Sequence, residues 1–167
     1  MSGHDPEWFV RTHGADLLRS SMLLTGSQDR AEDLVQETLT RLIPQWERVA
    51  TAESPLAYVR RSMINRYLSQ RRLMSSRDIS VRDVPEHVMT SDVAGDVALR
   101  IAAHELLGTL SDKQRAAVVL RYFHDLPDAE IAAVLGCRVA TVRSMIRRAL
   151  GALRVSDHTS ALSGEAS

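Results

Sequence analysis

Ala129-Glu130-Ile131-Ala132-Ala133-Val134-Leu135-Gly136-Cys137-Arg138-Val139-Ala140-Thr141-Val142-Arg143 is the stretch that decides the fold. It predicts a short helix from about residue 128, a glycine turn, and a longer helix reaching about Arg154. The short helix buries Ile131, Val134 and Leu135. Gly136 supplies the residue that adopts a left-handed turn without a Cβ clash. The longer helix sorts its side chains by charge. At roughly 100° per residue from Arg143, Val142, Ile146, Ala149, Leu150 and Leu153 fall between about −120° and −20°. Arg154, Arg147, Ala140, Ser144 and Arg148 span about 20° to 140° on the other side. This is helix-turn-helix form. The apolar stripe seats the second helix on its lobe, and the basic arc faces a major groove. Arg pairs bidentately with guanine, and Ser reads either base. A solvated amphipathic helix gives the same periodicity, but ordinary surfaces mix charge signs and this arc holds no acid. The motif alone does not separate a repressor from an initiation factor.

Working outward, charge is segregated along the 167 residues. Lys plus Arg is 21 and Asp plus Glu is 21, so the net charge is zero and a histone-like coat for nucleic acid is excluded. Residues 1–53 carry nine acids and five Arg. Residues 54–77 carry six Arg (Arg60, Arg61, Arg66, Arg71, Arg72, Arg77) and no acid. Residues 78–112 carry seven acids, and 131–156 carry five Arg and no acid. Two acid-free basic segments thus close two otherwise acidic or neutral units, and phosphate is the natural partner for both. The bias of 20 Arg to one Lys also supplies planar donor forks.

Helix-period patterns dominate and no segment sustains strand alternation, so the expected fold is all-α. Asp5-Pro6-Glu7 starts a helix that stops at Gly26. Asp29-x-x-Glu32 reads as a capping-box variant opening the next. Ser54-Pro55 opens a third, reaching about Arg72. Ser111-x-x-Gln114 is a further capping box, starting a helix to about His124. Expected boundaries are a helical lobe over 1–73, a flexible linker over 74–98, a helix-turn-helix lobe over 99–155, and a disordered Ser/Gly/Ala-rich tail over 156–167. Each lobe is small enough to be only marginally stable alone.

In the helix over about 30–47, Leu34, Val35, Leu39, Leu42, Ile43 and Trp46 form one face. Asp33, Gln36, Glu37 and Thr40 cluster opposite, where they make either a solvated face or an acidic protein-docking surface. Ala31-Glu32-Asp33-Leu34-Val35-Gln36-Glu37-Thr38-Leu39 strongly resembles conserved region 2.2 of bacterial sigma factors. Leu110-Ser111-x-x-Gln114-Arg115-x-x-x-x-Leu120-Arg121-Tyr122, then Ala129-Glu130-Ile131-Ala132 and Thr141-Val142-Arg143-Ser144, resemble their region 4. The spacing and the missing regions 1 and 3 resemble the extracytoplasmic-function (group 4) class of the sigma-70 family. Ser54-Pro55-Leu56-Ala57-Tyr58-Val59-Arg60-Arg61 and Asn65-Arg66-Tyr67 look most like its actinobacterial SigE-like branch. The resemblance covers about residues 6–154.

That resemblance implies a sigma factor: a protein that binds core RNA polymerase, recognises −35 and −10 promoter elements and helps melt DNA. It places Asp33, Gln36, Glu37 and Thr40 on the clamp helices of the polymerase β′ subunit, with the β flap as a further contact. It puts the −10 element on the third helix, where Tyr58, Arg61, Asn65, Ser69 and Arg72 share one arc opposite Leu56, Met63 and Tyr67. Cations, an amide and an aromatic suit a single strand. It puts the −35 element on Arg138, Thr141, Arg143, Ser144, Arg147 and Arg148. An anti-sigma partner is a further implied possibility. The sequence departs from the family pattern at four places. Pro44 stands where its helix would continue, so a kink or early end is expected. Pro127 and Arg138 replace helix-capping Ser or Thr, and Met145 stands at a position often basic. These departures bear on promoter specificity.

Other chemistries find little footing. The six His (His4, His13, His87, His104, His124, His158) show no paired ligand spacing, so no metal is expected. The single Cys137 excludes an internal disulfide, and reads as a small buried residue more than a redox sensor. There is no Gly-rich phosphate loop and no GxSxG, so neither cofactor nor enzyme activity is expected. No apolar run approaches the roughly 20 residues of a membrane span and the N-terminus lacks a signal pattern, so the expectation is cytoplasmic. The alternative function is a conventional dimeric helix-turn-helix regulator. It accounts for residues 129–154 but not for the Asp33 face or the first basic block. An anti-sigma or adaptor protein is weaker still, because it leaves both Arg blocks unused.

Overall fold

The computed structural model describes residues 5–76, 103 and 105–164, with side chains to Ser156. Every regular element among them is helical, and the chain divides into two compact units, 1–86 and 87–167.

The first unit holds α1 (Pro6–Thr25), α2 (Gln28–Leu42), α3 (Trp46–Ala50) and α4 (Pro55–Ser76). Local chemistry sets most of their ends. The Asp5 side chain accepts from the Glu7 amide at 3.2 Å, and Pro6 occupies the first turn, where its missing N–H costs nothing. Gly26 closes α1 at φ 70°. The Ser54 hydroxyl accepts from the Ala57 amide at 3.2 Å ahead of α4. Helix α2 starts differently from expectation. Its N-cap is Ser27, with no side-chain cap bond, and Glu32 Oε1 instead accepts from the Gln28 side-chain Nε2 at 2.6 Å. The expected Asp29–Glu32 box does not form, because the helix begins one residue before Asp29. At Pro44 the helix does end early: α2 stops at Leu42, a 3₁₀ turn spans Ile43–Gln45, and α3 resumes at Trp46.

Helices α1, α2 and α4 pack on one another, and α3 leans on α4. Leu17, Leu24, Leu34, Val49, Val59, Met63, Ile64 and Tyr67 fill the space between them. Phe9 and Trp46 meet edge to face at 5.2 Å, closing one end. Of the apolar face read on α2, Leu34, Leu39, Leu42 and Trp46 are buried, Val35 is half-buried, and Ile43 faces out at 48% exposure. The break before Pro44 rotates Ile43 off the stripe.

The second unit holds α5 (Asp112–Val118), α6 (Asp128–Leu135) and α7 (Val139–Gly164), preceded by helical residues 105–108. Ser111 and Gln114 form the capping box: the Gln114 amide donates to Ser111 Oγ at 3.3 Å, and the Ser111 amide to Gln114 Oε1 at 3.1 Å. Beyond Val118 the helix widens into a π turn over Val119–Phe123, closed by the His124 amide on the Val119 carbonyl at 3.1 Å. Asp125, at φ 52°, ends it. Gly136 takes φ 64° between α6 and α7, as its turn requires. Both α5 and α6 pack on α7, with Ala116, Ile131, Val142, Ile146 and Ala149 buried. On α6, Ile131 and Ala132 are buried, while Val134 and Leu135 are only half-buried.

Two expected boundaries move. Helix α4 continues through Met74 and Ser75, the first positions read as linker, to Ser76. The remaining linker positions, 77–98, lie outside the described residues. The tail expected to be disordered from 156 is helical to Gly164. No proline or glycine interrupts α7 between Gly151 and Gly164, and Ser156 returns its hydroxyl to the Ala152 carbonyl at 3.1 Å. A Ser/Ala-rich composition does not stop a helix that is already nucleated by a packed stripe.

Candidate functional site

Helix α4 carries the first basic segment and divides it between two jobs. Its inner face, Val59, Met63, Ile64 and Tyr67, is buried. Two of its arginines brace the unit. Arg60 donates to Asp16 of α1 at 2.9 Å, and Arg66 reaches Glu37 of α2 at 2.6 Å, with its Nε on the same oxygen at 2.7 Å. Gln70 donates to that oxygen as well, at 2.7 Å. The outer face is different. Arg61, Asn65, Ser69 and Arg72 are all exposed, with Tyr58 half-buried at its start, and Arg61 and Arg72 have no acid partner among the described residues. The arc read from the sequence is therefore present as one continuous polar strip of cation, amide, hydroxyl and cation.

The acidic face of α2 is only partly as read. Asp33, Gln36 and Thr40 are exposed on one side. Glu37 is half-buried, turned to α4 and held by Arg66 and Gln70. Its carboxylate joins two helices before it meets any partner. The reading of α2 in isolation missed this, because a helical wheel shows which way a side chain leaves its own axis but not what the next helix brings to it. A groove of about 340 Å³ runs between α2 and α4, bordered by Asp33, Glu37, Tyr67 and Gln70.

In the second unit, Arg138, Thr141, Arg143, Arg147 and Arg148 are exposed on α7 or its approach, and Ser144 is half-buried. The apolar stripe lies opposite: Val142, Ile146 and Ala149 are buried, while Leu150 and Leu153 are only half-buried. Pro127 is the N-cap of α6 and makes no side-chain cap bond; the Arg138 carbonyl accepts from the Thr141 and Val142 amides at the start of α7. Arg143 is not solitary. Its Nε donates to Asp128 Oδ2 at 3.1 Å, and the other carboxylate oxygen lies 2.6 Å from Arg121 Nη2. The sequence marks Arg121 only as part of the region 4 pattern and gives Asp128 no role at the site. Asp128 looks there like an ordinary acid in the first turn of a helix.

Among the described residues, no three His, Cys, Asp or Glu side chains are grouped to hold a metal, and no helix is long and apolar enough to cross a membrane. The arrangement offers two cationic, hydrogen-bonding surfaces on separate units and one exposed polar face on α2.

Sigma-70 region 2 matches residues 9–73, and Sigma-70, region 4 matches residues 100–153. The chain is 36% identical over 148 residues to the RNA polymerase sigma-E factor of Streptomyces coelicolor, covering 89% of this chain and 83% of that one. It is 34% identical over 151 residues to the ECF RNA polymerase sigma factor SigL of Mycobacterium tuberculosis, covering 86% and 84%. Among solved structures, the sigma factor RpoE in complex with the anti-sigma factor NepR from Bartonella quintana superposes with a TM-score of 0.70 at 25% identity, over 89% of this chain and 92% of that one. The chain belongs to the sigma-70 family of RNA polymerase sigma factors, in its extracytoplasmic-function class. Its function is to join core RNA polymerase and direct promoter-specific initiation.

Proposed function

We propose that the three surfaces divide that function by residue. The outer arc of α4, Tyr58, Arg61, Asn65, Ser69 and Arg72, takes the melted −10 strand. The outer face of α7, with Arg138, Thr141, Arg143, Ser144, Arg147 and Arg148, reads the −35 duplex. Asp33, Gln36 and Thr40 dock on the β′ clamp helices, with Glu37 as the brace behind them. The observation that carries this is the sorting of arginines on α4. Arg60 and Arg66 turn inward to acids, while Arg61 and Arg72 stay outward with no acid partner among the described residues. A merely solvated helix has no reason to keep its outward cations in line with an amide and a hydroxyl. On this reading the protein is an initiation factor without enzymatic chemistry of its own, acting in the cytoplasm beside the polymerase. A protein antagonist of the anti-sigma kind, such as the one bound to the Bartonella relative, fits the same reading.

The direct test is run-off transcription from genomic fragments by core RNA polymerase with and without the pure chain. Discrete transcripts only with the chain support the reading, and identical transcripts in both arms overturn it. A dimeric repressor is the competing reading, and DNA binding separates the two. With zero net charge, the free chain should bind duplex promoter DNA poorly and bind tightly only as holoenzyme. Nanomolar, sequence-specific binding by a free dimer would favour the repressor.

The docking face makes a separate prediction. Asp33→Lys should weaken core polymerase binding by roughly tenfold, through a like-charge or lost complementary contact at the interface. Its exposed position means that folding should be unaffected. A pull-down in which the folded variant binds core as tightly as the parent chain would remove Asp33 from the interface.

A further inference from the structure

Asp128 lies under the proposed reading face without belonging to it. It occupies the first position of α6, is half-buried, and holds two cations from different elements. Arg121 comes from the π turn and lies 2.6 Å from Oδ1, while Arg143 comes from α7 and donates Nε to Oδ2 at 3.1 Å. The Asp128 side chain is 17% exposed and that of Arg143 is 66% exposed. The pair is therefore anchored at its acid end and open at its guanidinium end.

A guanidinium has five N–H donors in a fixed plane. With Nε committed to Asp128, the fork left for a base edge is the one formed by the two terminal nitrogens. That fork can address guanine O6 and N7 end on. An unheld Arg side chain must also surrender about 2 kcal/mol of rotamer entropy to make such a contact, and part of that is already spent in a held one. A bare carboxylate this close to DNA would repel phosphates. Arg121 offsets its charge, so the acid can stay.

We propose that Asp128 is a positioning residue for −35 recognition, setting Arg143 in an end-on presentation and so sharpening preference at one base pair. This rests on the reading of Arg143 as a base contact. A structural acid and a positioning acid leave different signatures. Loss of a structural acid weakens binding to every sequence. Loss of this one relaxes one position and, because a negative charge leaves the DNA face, keeps or raises affinity for the other sequences.

The experiment uses holoenzyme assembled from the full chain and core polymerase. The probe is a promoter recovered by run-off transcription, with each −35 position substituted in turn. Arg143→Ala should reduce discrimination at one position by about 5- to 150-fold. Asp128→Asn, which keeps shape and removes charge, should reduce it at the same position by roughly fivefold, the low end of that range. Asp128→Glu, which restores the carboxylate, should recover part of the preference. In the Arg143→Ala background, Asp128→Asn should add nothing at that position.

An equal loss across all promoter variants with Asp128→Asn overturns the proposal, as does full discrimination with Arg143→Ala alone defective. An additive loss in the double variant overturns it too. If Arg143→Ala itself leaves preference unaltered, the base-reading assignment falls and takes the proposal with it. Asp128→Asn with raised discrimination would mean that the acid restrains Arg143 from DNA instead of aiming it, and would also overturn the proposal.

Discussion

Replacing Ile64 by Ala should destabilise the first unit by about 2–5 kcal/mol, because the side chain is fully buried between α4 and its neighbours and leaves a cavity. Replacing the adjacent Asn65 by Ala should shift stability by no more than about 0.5 kcal/mol, because it is exposed on the outer arc. The two substitutions separate the two duties of one helix. A unit of this size has little stability to lose, so Ile64→Ala should take core binding, −10 capture and cooperative unfolding down together. Asn65→Ala should leave the unfolding transition and core binding in place and reduce open-complex formation. Denaturant titration with a parallel core pull-down checks the first pair of outcomes, and permanganate footprinting of the melted strand checks the last. Unchanged promoter melting by the folded Asn65→Ala holoenzyme would remove this residue from the strand path.

On the second unit, Arg143→Ala should cost about 1–3 kcal/mol against the preferred −35 sequence and relax preference at a single position. Arg154→Ala should behave otherwise. Arg154 is exposed about three turns further along α7 than Arg143, on the same arc but further from the turn at Gly136. It reaches phosphate at most, so its loss should weaken all sequences alike and flatten the salt dependence by about one unit of slope. A promoter-variant panel run at several salt concentrations with both holoenzymes measures these together. If Arg143→Ala weakened every variant equally while Arg154→Ala altered the preferred −35 sequence, the reading face would lie elsewhere on α7.

The ion pairs at these surfaces shape function more than stability. Arg66–Glu37 and Arg143–Asp128 each have one side chain well exposed to water, where screening and side-chain entropy hold such a pair to about 1 kcal/mol at most. Their effect is on direction. Glu37 is drawn off the docking face toward α4, and Arg143 is drawn into a defined pose. The candidate sites are thus made as much by which polar groups the interior claims as by which it leaves outside.

What the sequence by itself determined is whatever depends on residues a few positions apart. The start of α1 at Asp5-Pro6, the Ser111–Gln114 box and the left-handed turn at Gly136 each need only neighbours along the chain to satisfy a backbone group or relieve a clash. The opposed faces of α4 and α7 follow from the 3.6-residue period acting on buried and solvated side chains. The interruption of α2 at Pro44 follows from a missing N–H. What only the tertiary structure decided is which polar groups meet across helices. Glu37 finds Arg66 and Gln70 at separations of 29 and 33 residues, and Asp128 finds Arg143 at 15. The axes, rotations and register of packed helices set those meetings, and no single helix encodes them. The same applies at the end of α7, where a weak local preference follows the helix already seated by Val142, Ile146 and Ala149. Short-range rules place the ends and faces of helices. Packing then decides which of the exposed groups are spoken for before a partner arrives.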